Sequence, residues 1–309
     1  MKRDFHAPGR SAVYAANGMA ATSMPQATLA ALDVMRAGGN ALDGAIAAAA
    51  VLGVVEPQST GIGGDCFCLY APAGTGKVIA INGSGRAPMG ATPDALRAAG
   101  LSQMDALSAH SVTIPGAVSA WEALSKAHGR KGLDEVLQPA ICFAEEGFHL
   151  SGRVASDWAS SVGKLSKHPA AARRFLKDGA AFQMGDRFVQ PELAATLRAI
   201  AKGGAKAFYE GAIAADMVAT LRAAGGTHTE ADFARGATAA EFVAPISRAW
   251  RDMEVFQCPP NGSGLIVLMI LGMIEKLGTV EPGFLSAERA HLHIAVSYTH
   301  LRAHETEAD

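Results

Sequence analysis

Cys66 and Cys68, separated by one residue, are side chains with the means to do chemistry. On a strand they share a face, because side chains alternate with a period of two, and paired thiols can hold a metal. Zinc spacing then requires a second Cys or His pair, and none follows. Cys66, Cys68, Cys142 and Cys258 therefore read as free thiols, with no disulfide framework. His291 and His293 fall in a helical segment, where residues two apart face away from each other and share no ion. His304-Glu305 begins like H-E-x-x-H, but Ala308 stands where the second histidine belongs. Gly61, Gly63 and Gly64 suit a backbone that must approach a neighbour closely. A dinucleotide loop needs a strand, G-x-G-x-x-G and a helix in that order. Here a helix precedes, a strand follows and the third glycine is missing. Gly74-Thr75-Gly76-Lys77 fails as a phosphate loop as well, since Val78 replaces the required hydroxyl. A tight turn that shapes a core or a site is the reading these glycines support.

The elements that must position such groups follow from composition and pattern. The chain has 309 residues, 49% apolar and 18% charged, enough to bury a real core. A net charge of −2 with no basic stripe argues against nucleic-acid binding. The start MKRDFHAPGR has basic residues without an apolar run behind them, so no signal peptide is expected. The apolar runs at 45–55 and 264–274 are too short for a bilayer, and a soluble, cytoplasmic protein without membrane contact is expected. Alternation over 11–21 predicts an opening strand. A helical period over 23–38 ends at Gly38-Gly39, and Asn40 caps a second, alanine-rich helix from 41 to about 52. Strand-like 66–72 and 77–82 flank Ala73-Gly74-Thr75-Gly76 as a hairpin. Helices are predicted over 115–126, 133–146, 191–202, 213–223 and 265–277. Strands are expected within 245–258, before a turn at Pro259-Pro260-Asn261-Gly262. No repeat or low-complexity linker divides the chain, so one domain with a helical lobe is expected.

Five blocks in order carry a resemblance. They are SMPQATLAALDVMRAGGNALDGAIAAAAVLGVVEPQSTGIGGD (23–65), HSVTIPGAVSAWEAL (110–124), EVLQPAICFAEEGF (135–148), KAFYEGAIAADMV (206–218) and PPNGSGLIVLMILGMIE (259–275). The sequence resembles the large-subunit portion of the γ-glutamyltranspeptidase family of N-terminal-nucleophile hydrolases, across residues 7–295. The resemblance implies an αββα sandwich, here incomplete and with a helical lobe. It implies a precursor that cuts itself before a threonine, whose freed α-amine serves as base for its own hydroxyl, while backbone donors stabilise the oxyanion. No metal or organic cofactor is implied. The partners implied are a small γ-glutamyl or amide substrate and the small-subunit half of the same precursor.

The nucleophile motif, roughly T-T-H-apolar-S-x-x-D-x-x-G, does not occur. Thr227-His228-Thr229 matches an ordinary segment of the family, and Thr299-His300-Leu301 is followed by Arg302 where the serine belongs. The stretch 296–309 departs abruptly from the resemblance and reads as a non-native tail, with 1–295 as a single truncated domain. Glutamyl-binding members carry an arginine just upstream of an Ala-Pro pair, whose planar fork can grip a carboxylate. Here Ser84 occupies that place before Ala87-Pro88, and Arg86 stands two residues later, on the same face if the segment is a strand. Arg86, Ser84 and Asn82 are the expected pocket edge. The run G-S-G-R-A-P looks more like the acylase or amidohydrolase branch, which includes oxamate-amidohydrolase-like members. Two other readings stay open: a non-catalytic fragment, and an unrelated glycine-rich α/β enzyme that binds a nucleotide.

Overall fold

The computed structural model describes residues 13–277 and 286–294. Along the chain, helices α1 (Pro25–Arg36) and α2 (Ala41–Val55) precede strands β1 (Cys66–Tyr70) and β2 (Ile79–Gly83). Then follow α3 (Pro93–Ala98), α4 (Ala117–His128), α5 (Leu133–Val136), α6 (Gln138–Glu146), β3 (Phe148–His149), α7 (Gly152–Ser160), α8 (Val162–Leu165) and α9 (Pro169–Phe175). Next come β4 (Arg187–Phe188), α10 (Pro191–Tyr209), α11 (Ala212–Ala223), α12 (Glu230–Gly236), β5 (Glu241–Val243), β6 (Ile246–Trp250), β7 (Met253–Gln257) and α13 (Gly264–Leu277). The described strands form three sheets: β1-β2-β5, an antiparallel β3–β4 pair and an antiparallel β6–β7 pair.

The chain divides into two compact units. Among the described residues, a helical unit comprises Gly18–Cys66 and Gly83–Ala240, and a sheet unit comprises 13–17, Phe67–Asn82, 241–277 and 286–294. In the helical unit α2 is apolar on every side, and a helix of that kind belongs inside. Ile46, Ala47, Ala50, Val51 and Val55 are all buried, packed against α1, α4 and α6. Asn40 holds its first turn through a capping box: the side chain accepts from Leu42 N and Asp43 N, and Asp43 accepts from Asn40 N at 2.7 Å. Asp43 is fully buried, and its carboxylate also accepts from Arg130 N, which ties α2 to the chain after α4. A second cluster gathers Trp158, Phe148, Phe175, Phe182 and Phe188, with Trp158 edge-on to Phe188 at 4.9 Å.

The predicted helices lie where the periodicity put them, with one break. The segment 133–146 is two helices, because Leu137 starts a new turn ahead of Pro139, whose ring lacks a donor and is tolerated only in a first turn. The predicted opening strand is absent: residues 13–22 carry no regular structure. Its small residues satisfied the alternation, but no described strand pairs with it. In the sheet unit β2 lies between β1 and β5, with Ile81 opposite Phe242. There α13 packs on β6 and β7.

Candidate active-site frame

Within the helical unit three loops meet at the start of α4. The turn at 61–64 closes with Gly64 N donating to Gly61 O at 3.2 Å. The Gly64 carbonyl then accepts from Gly116 N at 2.9 Å and Ala117 N at 3.1 Å. Helix N-termini leave amide donors without intrahelical partners, and this glycine-rich turn satisfies two of them. The segment leaving β2 lies against the residues that precede α4, and Ile114 N donates to Arg86 O at 2.9 Å. The approach is backbone to backbone. A Cβ on Gly116 would stand 2.0 Å from Gly83 O, and one on Gly85 would stand 1.9 Å from Ile114 O. Gly85 also has φ +78°, a conformation glycine adopts without steric cost.

Two further anchors fix this frame. Tyr209 Oη donates to Pro115 O at 2.6 Å and accepts from Ser119 N at 3.2 Å. Burial pushes its phenol well above the ordinary range, more than the Ser119 contact lowers it, so it remains a neutral donor. Met89 N donates to Asp232 Oδ1 at 3.1 Å. Asp232 also closes the N-terminus of α12 with Thr229, whose hydroxyl donates to Oδ2 at 2.6 Å, and it pairs with Arg235. Burial raises the Asp232 carboxyl. The hydrogen bonds from Thr229 and Met89 and the Arg235 charge outweigh it and hold the group below the usual carboxylate range.

Arg86 thus leaves this frame on a fixed backbone and is exposed. Ser84 Oγ donates to Gly85 O at 3.3 Å. The expectation that Ser84 and Arg86 share a strand face does not hold, because β2 ends at Gly83 and Gly85 turns the chain. Asn82 belongs to the sheet unit. It pairs with Glu241 across β2–β5, and its Nδ2 donates to Asn261 Oδ1 at 3.1 Å, tying the 259–262 turn to β2. Sequence reasoning missed Asp232 as the tether of Met89, although the T-x-x-D spacing of Thr229 and Asp232 spells a capping box.

The remaining candidates have structural places. Thr229 is the cap of α12, and His228 is fully buried with Nε2 paired to Val112 O at 2.8 Å. Burial pushes the Cys68 thiol up, with Cys258 adding to the effect. Burial raises Cys258 as well, against the lowering effect of its contact with the Cys68 backbone. Neither is a thiolate nucleophile at neutral pH. His291 and His293 lie exposed on a helical stretch at 287–294. Among the described residues no group of three His, Cys, Asp or Glu could hold a metal ion, and no helix is long and apolar enough to cross a membrane. Thr299-His300-Leu301, His304-Glu305 and the tail 296–309 lie outside the described residues.

The fold is that of the N-terminal-nucleophile hydrolases. The family model for gamma-glutamyltranspeptidase matches residues 27–305, and the chain belongs to that family. It is 37% identical over 243 residues to the glutathione hydrolase-like YwrD proenzyme of Bacillus subtilis, a match covering 79% of this chain and 46% of that protein. It is 34% identical over 267 residues to an oxamate amidohydrolase proenzyme of Klebsiella pneumoniae, covering 84% and 50%. The solved cephalosporin acylase of Bacillus halodurans superposes with a TM-score of 0.84 at 36% identity, covering 96% of this chain and 56% of that one. The chain spans about half the length of the curated relatives it matches.

Proposed function

We propose that these residues are the large-subunit region of a γ-glutamyltranspeptidase-like proenzyme. It cleaves or transfers γ-glutamyl or related small amide groups through an N-terminal threonine freed by autoprocessing, which this chain does not contain. Its partners are a small amide substrate and the second half of its own precursor. Residues 1–295 act as the γ-glutamyltranspeptidase-like region, and residues 296–309 as a non-native tail. The reading is carried by the frame around Arg86: an exposed arginine stands on a backbone fixed by Ile114, Gly116 and the Met89–Asp232 tether. A planar fork at that position can grip the carboxylate of a donor substrate, with Ser84 and Asn82 beside it in sequence.

A second reading within the same family is an acylase or amidohydrolase without γ-glutamyl specificity. Ser84 favours it, since an uncharged hydroxyl there cannot make a two-pronged contact with a carboxylate. The deciding experiment is to recover the continuous gene beyond residue 295 and assay the full protein on a γ-glutamyl anilide and on a simple amide. Preference for the γ-glutamyl compound supports the first reading, and preference for the simple amide supports the second. A gene lacking a T-T-H-x-S-x-x-D segment overturns both and leaves a non-catalytic protein.

A further inference from the structure

Away from the Arg86 frame, the helical unit contains a cleft that the proposed chemistry does not use. It lies between the Pro57–Gln58 corner after α2 and helices α7 to α9, and has a volume of about 120 Å³. That is several times the roughly 10–15 Å³ that a single water needs, room for a small ligand. The cleft is lined by Pro57, Trp158, Leu165 and Phe175 together with Gln58, Ser161 and Lys164. The Trp158 ring nitrogen is already spent on Phe175 O at 2.8 Å, so the indole offers the cleft only apolar surface. Ser161 donates to Asp157 O at 3.2 Å, which leaves its oxygen to accept.

Two features give the cleft a chemical preference. Both polar atoms of the Gln58 carboxamide, Nε2 and Oε1, are buried and have no hydrogen-bond partner among the described residues. Buried polar groups are otherwise almost always paired. An amide presents a donor and an acceptor side by side, and its complement is another primary carboxamide. A carboxylate is acceptor-only and would leave Oε1 without a donor. Neither atom reaches solvent as the side chain stands, but the terminal torsion of glutamine is broad and lets the group turn toward a ligand that offers both partners. The second feature is charge. Lys164 lies on the cleft wall, and Lys167, Arg173 and Lys177 are exposed side chains on the chain that follows it. None of the four pairs with a carboxylate among the described residues.

We propose that this cleft is a second ligand site, selective for small anionic carboxamides: the amide head pairs with Gln58, the carbon chain lies on Trp158 and Phe175, and the negative end faces Lys164. The assignment stands independently of the function proposed above.

The test is calorimetric titration of the full chain with succinamate, which carries one carboxamide and one carboxylate, alongside succinate and succinamide. Succinamate is expected to bind at least five-fold more tightly than either analogue. Gln58→Met should weaken it ten-fold or more. Lys164→Met, a change at an exposed position, should weaken it several-fold and remove the preference over succinamide. Circular dichroism checks that each variant folds. Failure of the folded chain to bind succinamate overturns the proposal. So does binding that neither variant changes, or binding in which succinate equals succinamate.

Discussion

Arg86 and Asp232 do different work on one loop, Asp232 through Met89, three residues after Arg86. Arg86 is an exposed residue on a fixed backbone, whereas Asp232 is buried and saturated with donors. If Arg86 grips a substrate carboxylate, Arg86→Ala in the full-length enzyme should lower kcat/KM on a γ-glutamyl anilide about 10- to 100-fold, the range for losing a charge-assisted hydrogen bond. A neutral amide should be turned over unchanged. Equal losses on both substrates would give Arg86 a structural role instead, and no loss on either would leave it a surface residue. For Asp232 the prediction concerns stability. Its folded pKa is depressed, so its contribution is fully present above the unfolded value of about 3.9 and is lost as pH falls through the lower folded value. Asp232→Asn should therefore cost about 1–2 kcal/mol near pH 7, with the gap to the parent closing below about pH 4. Urea unfolding across that range reads the sign directly; a gap that widened in acid would contradict it.

At the level of elements, the start of α4 decides whether the frame exists. The 61–64 turn, the 83–88 segment and the 113–117 loop touch through backbone atoms, and side chains would separate them. Gly116→Ala places a methyl 2.0 Å from Gly83 O and should cost about 3 kcal/mol or more, since neither backbone has room to yield. Gly61→Ala is the control: nothing lies within 4 Å of its added Cβ, and it should change stability by less than about 1 kcal/mol. Chemical denaturation of the two variants distinguishes a steric frame from a merely glycine-rich loop. Much of this region was legible in the sequence. Asn40 announced the α2 cap, and the Ala73–Gly76 run announced the turn between β1 and β2. What misled was the strand reading of 84–86. Alternation of side chains ignores Gly85, whose positive φ turns the chain out of β2.

On the scale of the whole molecule, the described strands fall into three small, open sheets of three, two and two strands. Apolar side chains along α13 are correspondingly wet: Leu265, Val267 and Met269 are 38%, 39% and 40% exposed. Exposed apolar surface of this kind marks an interface or an aggregation hazard. The chain on its own should therefore self-associate at micromolar concentration, which light scattering detects, and should release no product from a γ-glutamyl anilide. Turnover by these residues alone would refute the proposed role of a missing threonine.

From residue types and order alone came the family, the helical periodicities, the caps and the absence of a threonine in the nucleophile motif. These are local in the chain, where capping, period and motif spacing act over a few residues. The folded molecule alone determined which backbones touch: Gly64 on α4, Gly83 on Gly116, and Met89 on an aspartate far along the chain. It also decided that Gln58 would be buried without a partner beside Trp158. Contacts between distant segments depend on how helices and loops pack, and no local pattern encodes that packing.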